Sequence, residues 1–142
     1  MKTPSPTAKL LGFAGLIPFI ALSVFQLLFP SSPHKEMVML SLTAYGATIV
    51  SFLGAIHWGL AMQQDLSHRY LLVWGVIPSL LGWLSLLLDP INGWLLLVAT
   101  LWLCFLVDYK IYPTFQLTSW LPMRFTLTSV ASMSIGFSLI FF

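Results

Sequence analysis

The chain has 142 residues, 58% of them hydrophobic and 7% charged, with six Lys and Arg against four Asp and Glu for a net charge of +2. A soluble domain carries roughly a quarter charged residues, so this composition excludes an ordinary water-facing surface and makes the lipid bilayer the chain's first partner. The basic residues stand singly, which argues against nucleic acid as a partner, and Cys104 alone offers neither an intramolecular disulfide nor a cysteine metal cage.

A membrane-crossing helix needs about twenty apolar residues. The first such run covers residues 10–29, behind Lys2 and Lys9. It exceeds the roughly 7 to 15 residues of a signal-peptide core and ends in Phe29-Pro30-Ser31-Ser32-Pro33 rather than a small-residue cleavage site, so a retained span is expected. With no long Arg- and Ser-rich leader ahead of it, the expected location is a bacterial inner (cytoplasmic) membrane. The second span is placed at 37–62, followed by a loop in which Asp65, His68 and Arg69 read as solvated residues with local ion pairs. The third, 70–88, and the fourth, 91–107, are joined by the tight turn Asp89-Pro90-Ile91-Asn92-Gly93 and form an antiparallel hairpin. The segment from Asp108 to Arg124 contains Pro113 and Pro122 together with Tyr112, Phe115, Trp120 and Leu121, and is expected in the membrane interface. The fifth span is 125–142. The fold class is therefore an all-α, multi-pass membrane protein, a single domain over 1–142 built as a five-transmembrane-helix bundle. Lys2, Lys9, Arg69, Lys110 and Arg124 on one side, against Lys35 on the other, place the N-terminus in the cytoplasm and the C-terminus outside.

The tetrapeptides Gly15-Leu-Ile-Pro18 and Gly75-Val-Ile-Pro78 echo one another, and Pro18 and Pro78 are expected to kink the first and third spans. At 100° per residue, the second span divides into three faces. Ile49, Phe52, Leu53, Ile56 and Leu60 form a large apolar side suited to lipid. Ala47, Ser51, Ala55 and Gly59 recur every four residues as a small-residue packing ridge. His57 shares a third strip with Thr43, Gly46, Val50, Gly54 and Ala61.

An ionisable side chain inside a span marks a functional hypothesis. Three readings of His57 compete: an interhelical hydrogen bond that locks packing, with Ser79 or Gln26 as partner; a titrating group in proton-coupled transport; and a haem or metal ligand, for which His34 and His68 are badly placed. The first is preferred, and no cofactor or metal is expected. Asp65, Asp89 and Asp108 read as span ends or loops, and no nucleophile, phosphate-loop or metalloprotease motif occurs, so the chain is not expected to be an enzyme. The six tryptophans read as packing or an interfacial belt.

Leu11-Gly-Phe-Ala-Gly-Leu-Ile-Pro-Phe19, the run from Tyr45 to Ala61 with its Ser-Phe-Leu-Gly-x-x-x-Trp-Gly core, Ile77-Pro-Ser79 and Trp120-Leu-Pro-Met-Arg124 resemble the bacterial membrane proteins related to mitochondrial transmembrane protein 69. The resemblance covers residues 10–130 and is to a family of unknown function; it implies a small polytopic membrane protein. It also implies that Ser51, Gly54, His57, Trp58, Gly59 and Arg124 are where a function would sit. The functional expectation is a structural or accessory subunit that binds a membrane-protein partner or a second copy of itself through small-residue faces; the alternative is a small solute carrier or proton-linked transporter using His57.

Overall fold

Serine and proline start the first helix. Ser5 Oγ accepts the Ala8 amide at 3.1 Å, and Pro6, which has no amide to leave unpaired, opens α1 (Pro6–Ala14). The computed structural model describes residues 2–63 and 68–141. Beyond α1 the elements are α2 (Ile17–Leu28), α3 (Lys35–Gln63), α4 (Arg69–Leu87), α5 (Pro90–Ile111), two short 3₁₀ turns (Tyr112–Phe115 and Thr118–Trp120) and α6 (Leu121–Ile140). Among the described residues all regular structure is helical, and five segments are long and apolar enough to cross a membrane: Pro6–Leu28, Lys35–Gln63, Arg69–Leu87, Pro90–Phe115 and Thr118–Ile140.

The two prolines act differently. Pro18 lies at the start of α2, and its missing amide falls where the first span separates into α1 and α2. The Gly15 carbonyl at this break accepts the Tyr45 hydroxyl of α3 at 2.7 Å, so the join is held by a neighbouring helix. Pro78 sits inside an unbroken α4, buried with its ring against Gly54.

Two boundaries differ from the sequence expectation. The fourth span does not end at Val107: α5 continues through Asp108 to Ile111. The fifth begins at Leu121, so Arg124 belongs to its first turns rather than to a loop. The residues between them fold back against the end of the bundle. Gln116 takes a left-handed conformation (φ 59°), and the Leu117 amide bonds back to the Tyr112 carbonyl at 2.9 Å. This reversal turns the side chains inward: Tyr112, Phe115 and Leu121 are buried, Phe115 in a small cluster with Ala61 and Leu71. The N-terminal strand of chain is tied to the same end, with Lys2 N–H to Gln116 O at 3.0 Å and Ser119 Oγ to Lys2 O at 2.6 Å. Asp65, and Phe142 at the end of the expected fifth span, lie outside the described residues.

Helix α3 is the axis of the bundle. Its buried strip is Thr43, Gly46, Val50, Gly54, His57 and Ala61, the face that carries the histidine. Against it α4 approaches at backbone distance: a Cβ on Gly54 would strike the Gly75 carbonyl, and one on Gly82 would lie 3.1 Å from Ala47 Cα. Within the bundle α4 uses only the start of the expected ridge. Ala47 is buried against α4 and Ser51 is half-buried, but Ala55 and Gly59 are exposed, because α4 packs on the neighbouring face. The expected lipid side is corrected. Phe52 is exposed, whereas Leu53 is buried and Ile49 and Ile56 pack on the core, since the first span and α6 lie along this flank. Leu42, Val50, Trp94, Leu97, Leu101 and Ile135 fill the middle of the bundle almost completely shielded from outside.

Candidate functional site

One face of α5 carries Leu97, Leu101, Cys104 and Asp108 at spacings of three and four, all buried, and Tyr112 continues it past the helix end. Apolar packing on the first three residues carries Asp108 into the interior. There its carboxylate meets two helices at once. His57 Nε2 of α3 donates to Oδ1 at 2.8 Å, and Arg124 Nε of α6 donates to Oδ2 at 2.9 Å, with Arg124 Nη2 also 2.8 Å from Oδ2. His57 and Asp108 are 1% exposed and Arg124 6%. Tyr112 and Arg124 border one cleft, and the Trp74 ring of α4 stands edge-on to the imidazole with centroids 6.5 Å apart.

The helix ends do not favour these charges. Asp108 is in the last turn of α5, where exposed carbonyls repel an anion, and Arg124 is in the first turns of α6, where free amides repel a cation; each misplacement costs roughly 0.3–1 kcal/mol. Each charge offsets the other's penalty, so neither position is satisfied without its partner. The other ring nitrogen of His57, Nδ1, is buried and has no hydrogen-bond partner among the described residues.

Of the residues singled out in the sequence, the structure brings His57 and Arg124 together and gathers Gly54 and Trp58 with α4 beside them. Trp58 Nε1 donates to the Leu72 carbonyl at 2.9 Å and its ring covers Gly75. Ser51 bonds back to Ala47 O at 2.8 Å within its own helix. Ser79 is half-buried on α4, and Gln26 is buried near the far end of α2, so neither is the partner of His57. Gly59 faces outward. The residue missed was Asp108, read as lying beyond the fourth span. Its signal is the continuation of the Leu97, Leu101, Cys104 spacing by one more turn.

These features define an all-helical membrane protein with five candidate spans and a buried His–Asp–Arg network joining the second, fourth and fifth. The chain belongs to the family described as protein of unknown function (DUF3429), which it matches over residues 4–140. It is similar to Transmembrane protein 69 of Xenopus tropicalis, at 36% identity over 146 residues covering 99% of this chain and 56% of that protein. The chain thus spans about half the length of that curated relative. No solved structure matches it.

Proposed function

We propose that this protein is a non-enzymatic accessory subunit of a bacterial inner membrane, with its N-terminus in the cytoplasm, whose ion network holds the bundle in one shape while an outward face binds a membrane partner. The observation that carries this reading is the closure of the bundle beside the network. Between His57–Asp108–Arg124 and the end of the bundle near residues 29–34 lies the apolar packing of Val50, Leu97, Leu101 and Ile135. A group that must pass a proton or solute across needs a wet route on both sides; this side is filled with side chains. The orientation is supported by the remaining cations: with Arg124 buried, Lys2, Lys9, Arg69 and Lys110 stand on one side against Lys35. Ala55 and Gly59 offer a partner helix a close approach, the way helices associate in lipid.

The test is affinity purification of the tagged chain from its own membranes in a mild detergent. A stoichiometric partner or second copy is expected with the native sequence and with His57→Gln, and lost with Gly59→Leu at unchanged thermal stability. Recovery of the same monomer in all three sinks the reading. The proton-linked alternative is favoured by one observation, the contact between two titratable side chains, His57 and Asp108. It requires proton uptake in reconstituted vesicles that His57→Gln abolishes.

A further inference from the structure

Trp120, the N-cap of α6, and Arg124 and Thr128 within it follow one another at intervals of four residues, which lines them up along one side of the helix, Arg124 and Thr128 about 6 Å apart along the axis. Two of them hold a buried atom without a hydrogen-bond partner, Trp120 Nε1 and Thr128 Oγ1, and between them lies Arg124, whose Nη2 is paired with Asp108 Oδ2 at 2.8 Å. Arg124 is 6% and Thr128 1% exposed, so bulk water does not serve them. In front of this row two adjoining clefts open between the first span, α3 and α6. The larger, about 510 Å³, is bordered by Trp120 and Arg124; the smaller, about 140 Å³, by Arg124 and Thr128. The rest of the lining is mainly hydrocarbon, with Leu11, Phe52 and Leu53 across from the row and Leu127 beside it, all four bordering both clefts. Buried polar atoms ordinarily find partners, and a mostly apolar cavity with a few converging polar groups is the usual form of a small-molecule site.

The chemistry of the row selects the ligand. An indole N–H only donates, and a threonine hydroxyl can donate, so the group missing opposite Trp120 and Thr128 is an acceptor. Arg124 is already neutralised by the Asp108 carboxylate at 2.8 Å. An anionic head would have to compete with that buried carboxylate, whereas an uncharged carbonyl adds a hydrogen bond without adding charge. We propose that these clefts bind an uncharged amphiphile, its carbonyl head against the α6 row and its hydrocarbon tail along Phe52 and Leu11. That chemistry is shared by a membrane quinone and by a neutral ester lipid.

The probes are decylubiquinone, methyl palmitate and palmitate, titrated calorimetrically into the full chain in an ester-free maltoside detergent. Thr128→Val and Trp120→Phe remove donors without touching the Asp108 pair. Gly12→Val adds bulk on α1 at a position that borders both clefts, where the new Cβ would displace the flexible end of Met123 and touch Leu127 Cδ1 at 3.7 Å. Saturable binding of decylubiquinone alone assigns a quinone, and binding of methyl palmitate alone or as well assigns the carbonyl more broadly. In either case Thr128→Val or Trp120→Phe weakens binding about fivefold, as one hydrogen bond lost predicts, and Gly12→Val abolishes it. The proposal fails if no probe binds saturably, if palmitate binds more tightly than its methyl ester, if both donor variants bind like the native chain, or if Gly12→Val leaves binding intact.

Discussion

His57 Nε2 and Asp108 Oδ1 lie 2.8 Å apart although 51 residues separate them, and the other oxygen of the same carboxylate meets Arg124. One side chain on α5 thereby fastens α3 to α6. Removing a single member of a buried ion pair leaves an uncompensated charge, at a cost of roughly 3–5 kcal/mol. Asp108→Ala is expected to be the most damaging substitution of the network. The triple change His57→Phe, Asp108→Leu, Arg124→Met, which removes all the polar groups together, is expected to cost less. Unfolding of detergent-solubilised protein ranks them; a triple variant weaker than Asp108→Ala contradicts the account.

The α3–α4 seam depends on two glycines that face each other. A methyl group on Gly54 would strike the Gly75 carbonyl, and one on Gly75 would run into the Trp58 ring. Gly54→Ala and Gly75→Ala are expected to destabilise by about 1–3 kcal/mol through overpacking. At Gly59, with nothing within 4 Å of the added carbon, alanine is expected to be neutral or to stabilise by about 0.4–1 kcal/mol. Parallel thermal melts of the three variants make the comparison.

Trp58 crosses that seam with one hydrogen bond, Nε1 to Leu72 O at 2.9 Å. Trp58→Phe keeps most of the ring packing and loses the bond, for an expected loss of about 1 kcal/mol. A melt identical to the native protein's would show that the bond contributes nothing net.

Asp89 caps α5 in the turn between the third and fourth spans, accepting the Asn92 side-chain amide at 2.6 Å and its backbone amide at 3.2 Å. These hydrogen bonds to the charged form, the side-chain one first, hold its pKa below the ordinary 3.8. A lowered folded-state value means the contribution is fully present above 3.8 and is lost as pH falls through the lowered value. Asp89→Asn keeps an acceptor at the cap but does not titrate, so the difference in melting temperature between the two proteins should be constant above pH 5 and change below pH 4.

Cys104 is 1% exposed on the buried face of α5 and is the chain's single cysteine. A water-soluble maleimide is expected to leave it unmodified in the folded protein and to label it fully after denaturation. Rapid labelling of the native state would place α5 in a different rotation and take Asp108 out of the core with it.

Span number and identity were legible because lipid imposes a coarse requirement, a run of apolar residues long enough to cross, and runs can be counted from composition alone. Boundaries were less legible where a charge interrupts a run. Asp108 and Arg124 each looked like the end of hydrophobic sequence, since the test for a span penalises charge without asking whether two charges meet. The rotation of α3 was half legible. Gly54 and His57 were correctly found on one strip, but the Ala47 ridge and that strip were equally plausible packing faces, and α4 chose the strip.

The sequence by itself determined an all-helical membrane protein of five spans, with proline marking the break in the first and a histidine placed inside the second. Only the tertiary structure decided what that histidine does. A hydrogen bond is made in three dimensions over less than 3 Å, and no periodicity along one helix contains the rotation of another. Once packing of Leu97, Leu101 and Cys104 turned α5 inward, and the reversal at Gln116 returned α6 beside it, Asp108 had to lie between His57 and Arg124. Three residues scattered over 68 positions became one buried network because each is costly to bury alone and far less so together.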